Sequence, residues 1–165
     1  MSKEVELWDL LDENGNKIGR THIRGEKYPM GLYHLGVDIW IRNSKGEFLV
    51  QKRSENKESH PGVWAMTGGS ALSGETSIEA IHRETLEELG IDIDISKLKL
   101  LNTLKTNKAF IDTYLYEIDI DIKDLKLQKE EVDEALWLSS EQIDDMVKRG
   151  EFIESRWINV RNLFI

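Results

Sequence analysis

Cysteine is absent from the sequence of 165 residues. This absence excludes disulfide bonds, thiolate metal sites and a cysteine nucleophile, and it fits a reducing cytoplasm, where we expect the protein to work. No apolar run of about 18 residues occurs, so no segment is predicted to span a membrane. The N-terminus, MSKEVELWDLL, lacks a basic start followed by a long apolar segment, so we predict no secretory signal.

Positive charge is scarce. Lys and Arg number 22 against 31 Asp and Glu, which gives a formal net charge of −9. Because affinity for a nucleic acid polymer comes mostly from neutralising its phosphates, such a polymer is not an expected partner. A small phosphorylated ligand is compatible with this charge if cations mediate the contact.

The chain length favours a single domain over residues 1–165. The turn signal Asn14-Gly15 predicts an N-terminal β-hairpin, which we assign to an extension over residues 1–30, with the core over residues 31–165. Strands, a helix, strands and helices then follow, which indicates an α+β fold with α/β/α layering. The predicted strands are Glu4–Leu11, Ile18–Ile23, His34–Ile41, Glu47–Lys52, Gly62–Met66, one within Ile91–Leu104, Phe110–Ile122 and Ala135–Leu138. The predicted helices are Thr76–Leu89, one that Ser139 or Ser140 caps and that ends at Gly150, and Glu151–Phe164.

The helix predicted over Thr76–Leu89 follows a predicted turn at Gly68-Gly69 and carries a cluster of glutamates. Like charges one turn apart repel by a few tenths of a kcal/mol, roughly, per pair. Taken alone, such a cluster is typical of a solvated helix face. Carboxylates that converge with backbone carbonyls from the preceding loop, however, make an oxygen-only site that suits Mg²⁺ or Mn²⁺. The predicted apolar stripe is Ile78, Ile81, Thr85 and Leu89, and the glutamates predicted on the opposite side are Glu84, Glu87 and Glu88.

The spacing of fixed residues here resembles the signature of the Nudix hydrolases. Gly69 is followed after five residues by Glu75, and after seven more by the run RETLEELGI from Arg83 to Ile91. Thr85 stands where the family pattern has a large aliphatic residue, and its methyl group can still pack on the core. The likeness extends over roughly residues 33–147, most of a domain.

The resemblance implies a Nudix fold, a mixed sheet between helices, and hydrolysis of a diphosphate linkage in a nucleoside-diphosphate-type or other small organic substrate. It implies Mg²⁺, with Mn²⁺ as the alternative, as the cofactor. By the same resemblance Glu84 and Glu88 are the principal metal ligands, Glu87 is a third, and the carbonyl of Gly69 or a neighbour completes the set. The family's supporting positions are Arg83, which orients the glutamates, and Glu75, Gly74 and Gly90, which shape the loop and the helix ends.

Two further roles stay open at the level of sequence. In the family the general base is either a glutamate of the signature or an acid from a later loop, and Glu131, with Glu130 and Glu134 beside it, is the candidate from such a loop. Arg53 ends a strand near the expected site and can reach a phosphate, whereas its neighbour Lys52 faces the other way.

The segments before the signature also resemble isopentenyl-diphosphate isomerase, a relative with the same fold. That enzyme needs a cysteine two residues before the histidine that we match to His60, and Glu58 stands there. His34 matches a second metal-binding histidine, but Lys27 falls where the third belongs. We therefore expect His34 and His60 to be structural and the isomerase chemistry to be absent.

A non-catalytic, nucleotide-sensing Nudix domain is a second alternative. Such domains usually lose glutamates of the signature, and none is lost here. We also expect that the N-terminal hairpin contributes to a homodimer contact.

Overall fold

A computed structural model describes residues 5–164. The strands are β1 (Leu7–Leu11), β2 (Lys17–Ile23), β3 (His34–Arg42), β4 (Phe48–Arg53), β5 (Trp64–Ala65), β6 (Thr67–Ser70), β7 (Lys99–Lys105), β8 (Ala109–Glu117) and β9 (Val132–Leu138). The helices are α1 (Ser77–Leu89), α2 (Ser140–Lys148) and α3 (Glu154–Arg161). Glu4, the first residue of the predicted strand Glu4–Leu11, lies outside the described residues.

The main sheet is mixed and has seven strands. At its centre β3 runs parallel to β8 and antiparallel to β6, and β7 pairs with the far edge of β8. The strand β4 pairs with the end of β3 and also with β5 and β9. A separate two-stranded sheet, β1 with β2, forms the N-terminal hairpin that the sequence predicts.

Side chains of β3 alternate between two hydrophobic cores, one on each face of the sheet. Val37, Ile39 and Ile41 belong to the core that contains Ile81 of α1. Trp40, which has no exposed surface, belongs to the core with residues of α2 and α3. Because successive strand residues point to opposite faces, this single strand joins both layers. The α+β fold with a sheet between helices is thus confirmed.

The hairpin is packed against the main domain. Leu10 and Leu11 are buried. The backbone of Leu11 exchanges two hydrogen bonds with Tyr33, with N···O distances of 2.7 and 2.9 Å. The chain reverses at Gly15, whose φ of 82° is the left-handed conformation that the predicted Asn14-Gly15 turn requires.

Three predictions need correction. Gly68 and Gly69 do not form a turn: they lie inside β6, where they pair with Asp38 and Val37. Two element boundaries also differ: the strand predicted over Phe110–Ile122 is β8 and ends at Glu117, and the helix predicted over Glu151–Phe164 is α3 and begins only at Glu154.

The third correction concerns the faces of α1. Ile78 is 41% exposed, whereas Glu88 is only 6% exposed and faces the core with Ile81 and Thr85. The buried stripe is therefore rotated relative to the predicted one, and it carries the Glu88 carboxylate toward Gln51 of β4. Thr85 is fully buried, and its hydroxyl donates to the Ile81 carbonyl at 2.7 Å.

None of the helices within residues 5–164 is long and apolar enough to cross a membrane.

Candidate functional site

The start of α1 is held by two local devices. Thr76 caps the helix in a reciprocal capping box with Glu79. Just before it, Gly74 adopts a φ of 88°, and a Glu75 carboxylate oxygen accepts a hydrogen bond from the Leu72 amide at 2.6 Å. At the other end Gly90 terminates the helix in the left-handed conformation, with a φ of 72°. The loop and helix ends are therefore shaped by Gly74, Glu75 and Gly90.

Arg83 is the centre of an ion-pair network. Its Nε and Nη2 donate to the two carboxylate oxygens of Glu75, at 2.8 and 2.9 Å. Its Nη1 donates to Glu84 at 2.9 Å and to Glu87 at 3.3 Å. A bidentate guanidinium–carboxylate pair fixes both partners in one plane, so Glu75 locks Arg83 and Arg83 orients the next two glutamates.

Glu84 lies directly against the backbone of β6. A Cβ atom added to Gly69 would approach the Glu84 Oε1 to 2.5 Å, so only glycine leaves room for this carboxylate. Burial raises the pKa of Glu84 to about 7, although the Arg83 guanidinium opposes this increase. The carboxylate is thus confined in a partly desolvated position.

Glu88 is the most buried carboxylate of the cluster. Burial, followed by repulsion from Glu84 and Glu131, raises its pKa to about 8, while Gln51 and Lys57 act in the opposite direction. Its Oε2 is buried without a hydrogen-bond partner. A buried acceptor without a donor is costly, so this oxygen is a position where a bound cation or proton would stabilise the protein.

Glu87 is on the accessible side of the cluster. Its side chain is 50% exposed, against 16% for Glu84. It contacts the Arg83 guanidinium only weakly and can therefore reorient at little cost.

One backbone carbonyl of β6 also contacts the cluster. The Ser70 carbonyl accepts from Arg83 Nη2 at 3.2 Å and is therefore directed away from β3. Carbonyls two residues apart in a strand point the same way, so that of Gly68 has the same direction, and that of Gly69 is directed toward its partner Val37 on β3.

These donors fit a hard divalent cation, since all of them are carboxylate or carbonyl oxygens. Within residues 5–164, no three acidic or histidine side chains already form a closed ligand group. Arg83 draws Glu84 and Glu87 to itself, whereas one oxygen of Glu88, Oε2, has no hydrogen-bond partner among residues 5–164. A cation at this site would replace part of the contact between Arg83 and the glutamates.

The three later glutamates occupy different positions. Glu131 forms an ion pair with Lys57 and is close enough to Glu88 to raise its pKa. Glu130 and Glu134 are exposed. The fold therefore brings Glu131 to the cluster, and Lys57 from the loop between β4 and β5 comes with it.

Arg53 lines a cleft of about 470 Å³ that also contains Gly68, Gly69 and Ser70. Its Nε and Nη2 donate to the Ser59 carbonyl, at 3.1 and 2.9 Å, which fixes the guanidinium at the cleft wall. Because Arg53 lines the cleft, a phosphate bound there would have access to its guanidinium, as the predicted contact requires.

His34 and His60 are in different environments. His34 stacks on Trp8 with ring centroids 4.3 Å apart, and its Nδ1 is 3.2 Å from the Tyr28 hydroxyl. Burial lowers the pKa of His34 to about 4. His60 is exposed in a loop and has a φ of 50°. His34 thus helps to attach the hairpin and its following segment to β3.

Several residues at the site were not found from the sequence. Gln51 and Lys57 contact the cluster from β4 and the loop after it, and no sequence motif distinguishes them. Asp38 did carry a signal, because an acid in the middle of the apolar strand HLGVDIWI is unusual unless it has a partner. That partner, Arg156, is 118 residues away in the chain.

Comparisons with known proteins agree with this geometry. A NUDIX domain family model matches residues 32–162. The chain is 43% identical over 156 residues to an uncharacterized Nudix hydrolase of Listeria monocytogenes, which covers 94% of this chain and 92% of that protein. It is 28% identical over 173 residues to isopentenyl-diphosphate Delta-isomerase of Corynebacterium glutamicum, covering 96% and 89% of the two chains. A crystal structure of a Deinococcus radiodurans protein superposes with a TM-score of 0.82 at 25% identity, covering 95% of this chain and 98% of that one.

Proposed function

Because the chain belongs to the Nudix hydrolase family and is thus a pyrophosphohydrolase, we propose that it cleaves a small organic or nucleoside-diphosphate-type substrate with the help of Mg²⁺ or Mn²⁺. Water attacks one phosphorus of the diphosphate linkage, and a phosphorylated product leaves. The observation that carries the proposal is the buried, unpartnered Oε2 of Glu88 beside the confined carboxylate of Glu84.

In this proposal Glu84 and Glu88 hold the cation, Glu87 joins them from the exposed side, and a β6 carbonyl completes the ligand set. The family resemblance assigns that carbonyl to Gly69 or a neighbour. Because the Gly68 carbonyl is directed away from β3, we assign it to Gly68. When bound, the divalent cation neutralises diphosphate charge and lowers the pKa of a coordinated water. Arg83 keeps the glutamates oriented, and Glu75 keeps Arg83 in place, so the ligand geometry is preorganised.

We assign the general base to Glu131. Its position near Glu88 and its ion pair with Lys57, which restrains the side chain beside the cluster, support the assignment. A signature glutamate remains the alternative base. Arg53, at the wall of the adjoining cleft, binds a phosphate oxygen of the substrate.

The isomerase alternative is weaker. The relative from Corynebacterium glutamicum is named an isomerase, but this sequence has no cysteine, and Glu58 stands where the isomerase pattern needs one. A sensing domain is also disfavoured, because all of the signature glutamates are present.

Assembly and location are further parts of the proposal. Leu7, Ile18 and Ile23 of the hairpin are 37–42% exposed, which supports a homodimer contact through this element. A monomeric mass in light scattering that stays the same without residues 1–25 would contradict it. The cytoplasmic location expected from the sequence stays a prediction.

The test is a panel of nucleoside triphosphates, nucleotide sugars, dinucleotides and isoprenoid diphosphates, assayed for phosphate or monophosphate release with Mg²⁺, Mn²⁺ or EDTA. We expect cation-dependent release that Glu88→Gln abolishes and that the matched surface variant Glu117→Gln retains. Equal activity of wild type and Glu88→Gln would refute the proposal. Conversion of isopentenyl diphosphate to its isomer would establish the alternative.

A further inference from the structure

The cleft beside the glutamate cluster lies on the sheet face opposite α1. Its lining from β3 includes Gly36, Val37 and Asp38, of which Gly36 and Asp38 alternate with Val37 and Ile39, the residues that belong to the core on the α1 side. It also includes Gly68–Ser70, the β6 segment that contacts Glu84 and Arg83. A diphosphate held at this edge of the sheet would thus place the attached organic group in the cleft.

The cleft is lined by more basic than acidic residues, although the net charge of the protein is −9. Arg53, Lys108 and Arg156 line it, and within the described part of the chain Asp38 is the one acidic lining residue. Among residues 5–164, His34 is the one aromatic residue that lines it, and no Phe, Tyr or Trp does, so the cleft offers little surface on which a nucleobase would stack. This composition favours an anionic group over an aromatic one.

Arg156 is held over the cleft by a buried carboxylate. Its Nη1 donates to Asp38 Oδ2 at 3.2 Å, and the Asp38 side chain is 5% exposed against 32% for Arg156. The Nε and Nη2 of Arg156 make no hydrogen bond to any residue in the described part of the chain. A planar guanidinium fixed through one nitrogen, with its other donors free, is suited to a phosphate or carboxylate.

The carboxylate of Asp38 is itself only partly hydrogen-bonded. Its Oδ1 atom is buried and has no hydrogen-bond partner among residues 5–164. Burial raises the pKa of Asp38, while Thr113 and Arg156 act against that increase. Two apolar residues could replace Asp38 and Arg156 at this depth without the cost of desolvating a carboxylate. A functional need to position the Arg156 guanidinium therefore explains the presence of Asp38 better than a contribution to stability does.

We propose that Arg156, positioned by Asp38, binds an anionic group on the organic part of the substrate. The enzyme then prefers diphosphates that carry an additional phosphate or carboxylate away from the cleaved linkage. This inference rests on the proposed function for the position of the diphosphate. Arg53 and Lys108 add favourable charge at the same cleft, so the preference depends on salt concentration.

Matched substrate pairs test the proposal. NADPH and NADH, coenzyme A and its 3′-dephospho form, and UDP-glucuronate and UDP-glucose differ by one phosphate or carboxylate. We expect wild type to prefer the anionic member of at least one pair by about tenfold or more in kcat/KM, because an unsatisfied binding group rejects the analogue that lacks its partner. The ratio falls to near one in Arg156→Gln and is partly retained in Arg156→Lys.

Arg161→Gln is the matched control. Arg161 is on the same helix and pairs with Asp144 of α2 at 2.7 Å, outside the cleft. If the Asp38–Arg156 pair only attaches α3 to the sheet, both arginine variants lose stability and neither changes the substrate ratio. A ratio near one for every pair in wild type, or a ratio that persists in Arg156→Gln, overturns the proposal.

Equilibrium binding separates this proposal from the proposed hydrolase function. The same pairs are titrated into wild type and Arg156→Gln in calorimetry, with Glu131→Gln in both to suppress turnover while the metal ligands are kept. Absence of hydrolysis for all pairs would count against the hydrolase, whereas the binding ratios would still decide about Arg156. Tighter binding of the anionic member that Arg156→Gln removes supports the proposal, and equal binding refutes it.

Discussion

The backbone amide of Gly74 donates a 2.9 Å hydrogen bond to the carboxylate of Asp9, which also accepts from the Ser73 hydroxyl at 2.7 Å. The hairpin strand β1 therefore holds the loop that ends at Glu75. Since Glu75 binds Arg83, and Arg83 binds Glu84 and Glu87, one continuous chain of polar contacts joins the hairpin to the glutamate cluster.

Asp9→Ala removes the contact between the hairpin and this loop. Its charge-assisted bonds are expected to contribute about 1–3 kcal/mol to the free energy of unfolding. We expect kcat/KM to fall about tenfold as well, because the support for Arg83 is loosened. The control is Lys17→Ala, which removes the 3.1 Å ion pair to Asp9 but leaves both loop contacts. Equal activity of the two variants, measured in the same assay, would mean that the hairpin does not support the site.

Gly69→Ala tests the confinement of Glu84. The added Cβ would lie 2.5 Å from the Glu84 carboxylate, so this side chain must move away from β6. We expect activity to fall roughly tenfold to a hundredfold, as misplaced catalytic groups do, with secondary structure retained in circular dichroism. Ser70→Ala, one residue along the same strand, keeps the backbone carbonyl that Arg83 uses. Wild-type activity of Gly69→Ala would show that Glu84 does not need its present position.

The pKa of Glu88 predicts opposite effects of pH without and with the cation. The pKa in the folded protein is raised to about 8 from an ordinary value of 4.5, so between these values the folded state binds more protons than the unfolded state. The free energy of unfolding of the metal-free protein therefore decreases as pH rises through this window. Glu84, whose pKa is about 7, adds to the same decrease.

Glu88→Gln removes the buried charge and should stabilise the metal-free protein at pH 9 by roughly 1–3 kcal/mol relative to wild type. At pH 6 the difference should be smaller, because Glu88 is then protonated. Mg²⁺ should raise the Tm of wild type more at pH 9 than at pH 6 and leave that of the variant nearly unchanged. Thermal unfolding at the two pH values decides this, and equal Mg²⁺ stabilisation of both proteins would exclude Glu88 as a ligand.

The three later glutamates provide a direct comparison for the general base. We expect Glu131→Gln to lower kcat by roughly a hundredfold or more and to remove one limb of the pH–rate profile. Glu130→Gln and Glu134→Gln, on exposed side chains, should retain wild-type kinetics. If Glu131→Gln keeps both kcat and the pH profile, a signature glutamate is the base instead.

Much of the fold was readable in the sequence because its signals are local. The Asn14-Gly15 turn, the Ser139 cap and the Gly90 terminus each depend on the conformation of a few neighbouring residues. The apolar composition of His34–Ile41 likewise predicted a strand. The prediction for Gly68-Gly69 was wrong because glycine indicates a turn in isolation, whereas here its missing side chain admits Asp38 and Glu84 close to an extended strand.

By itself the sequence determined the spacing from Gly69 to Ile91, and with it the family and the helix that carries the glutamates. Only the tertiary structure decided which glutamate is buried, which loop brings Lys57 to Glu131, and which strand supports Gly74. The same is true of Asp38 and Arg156, whose contact joins β3 to α3 across most of the chain. Local propensities act over a few residues, so they can be read from the sequence. The contacts of Glu88, Lys57, Gly74 and Asp38 form only after the sheet has brought segments together that are far apart in the chain, so they cannot.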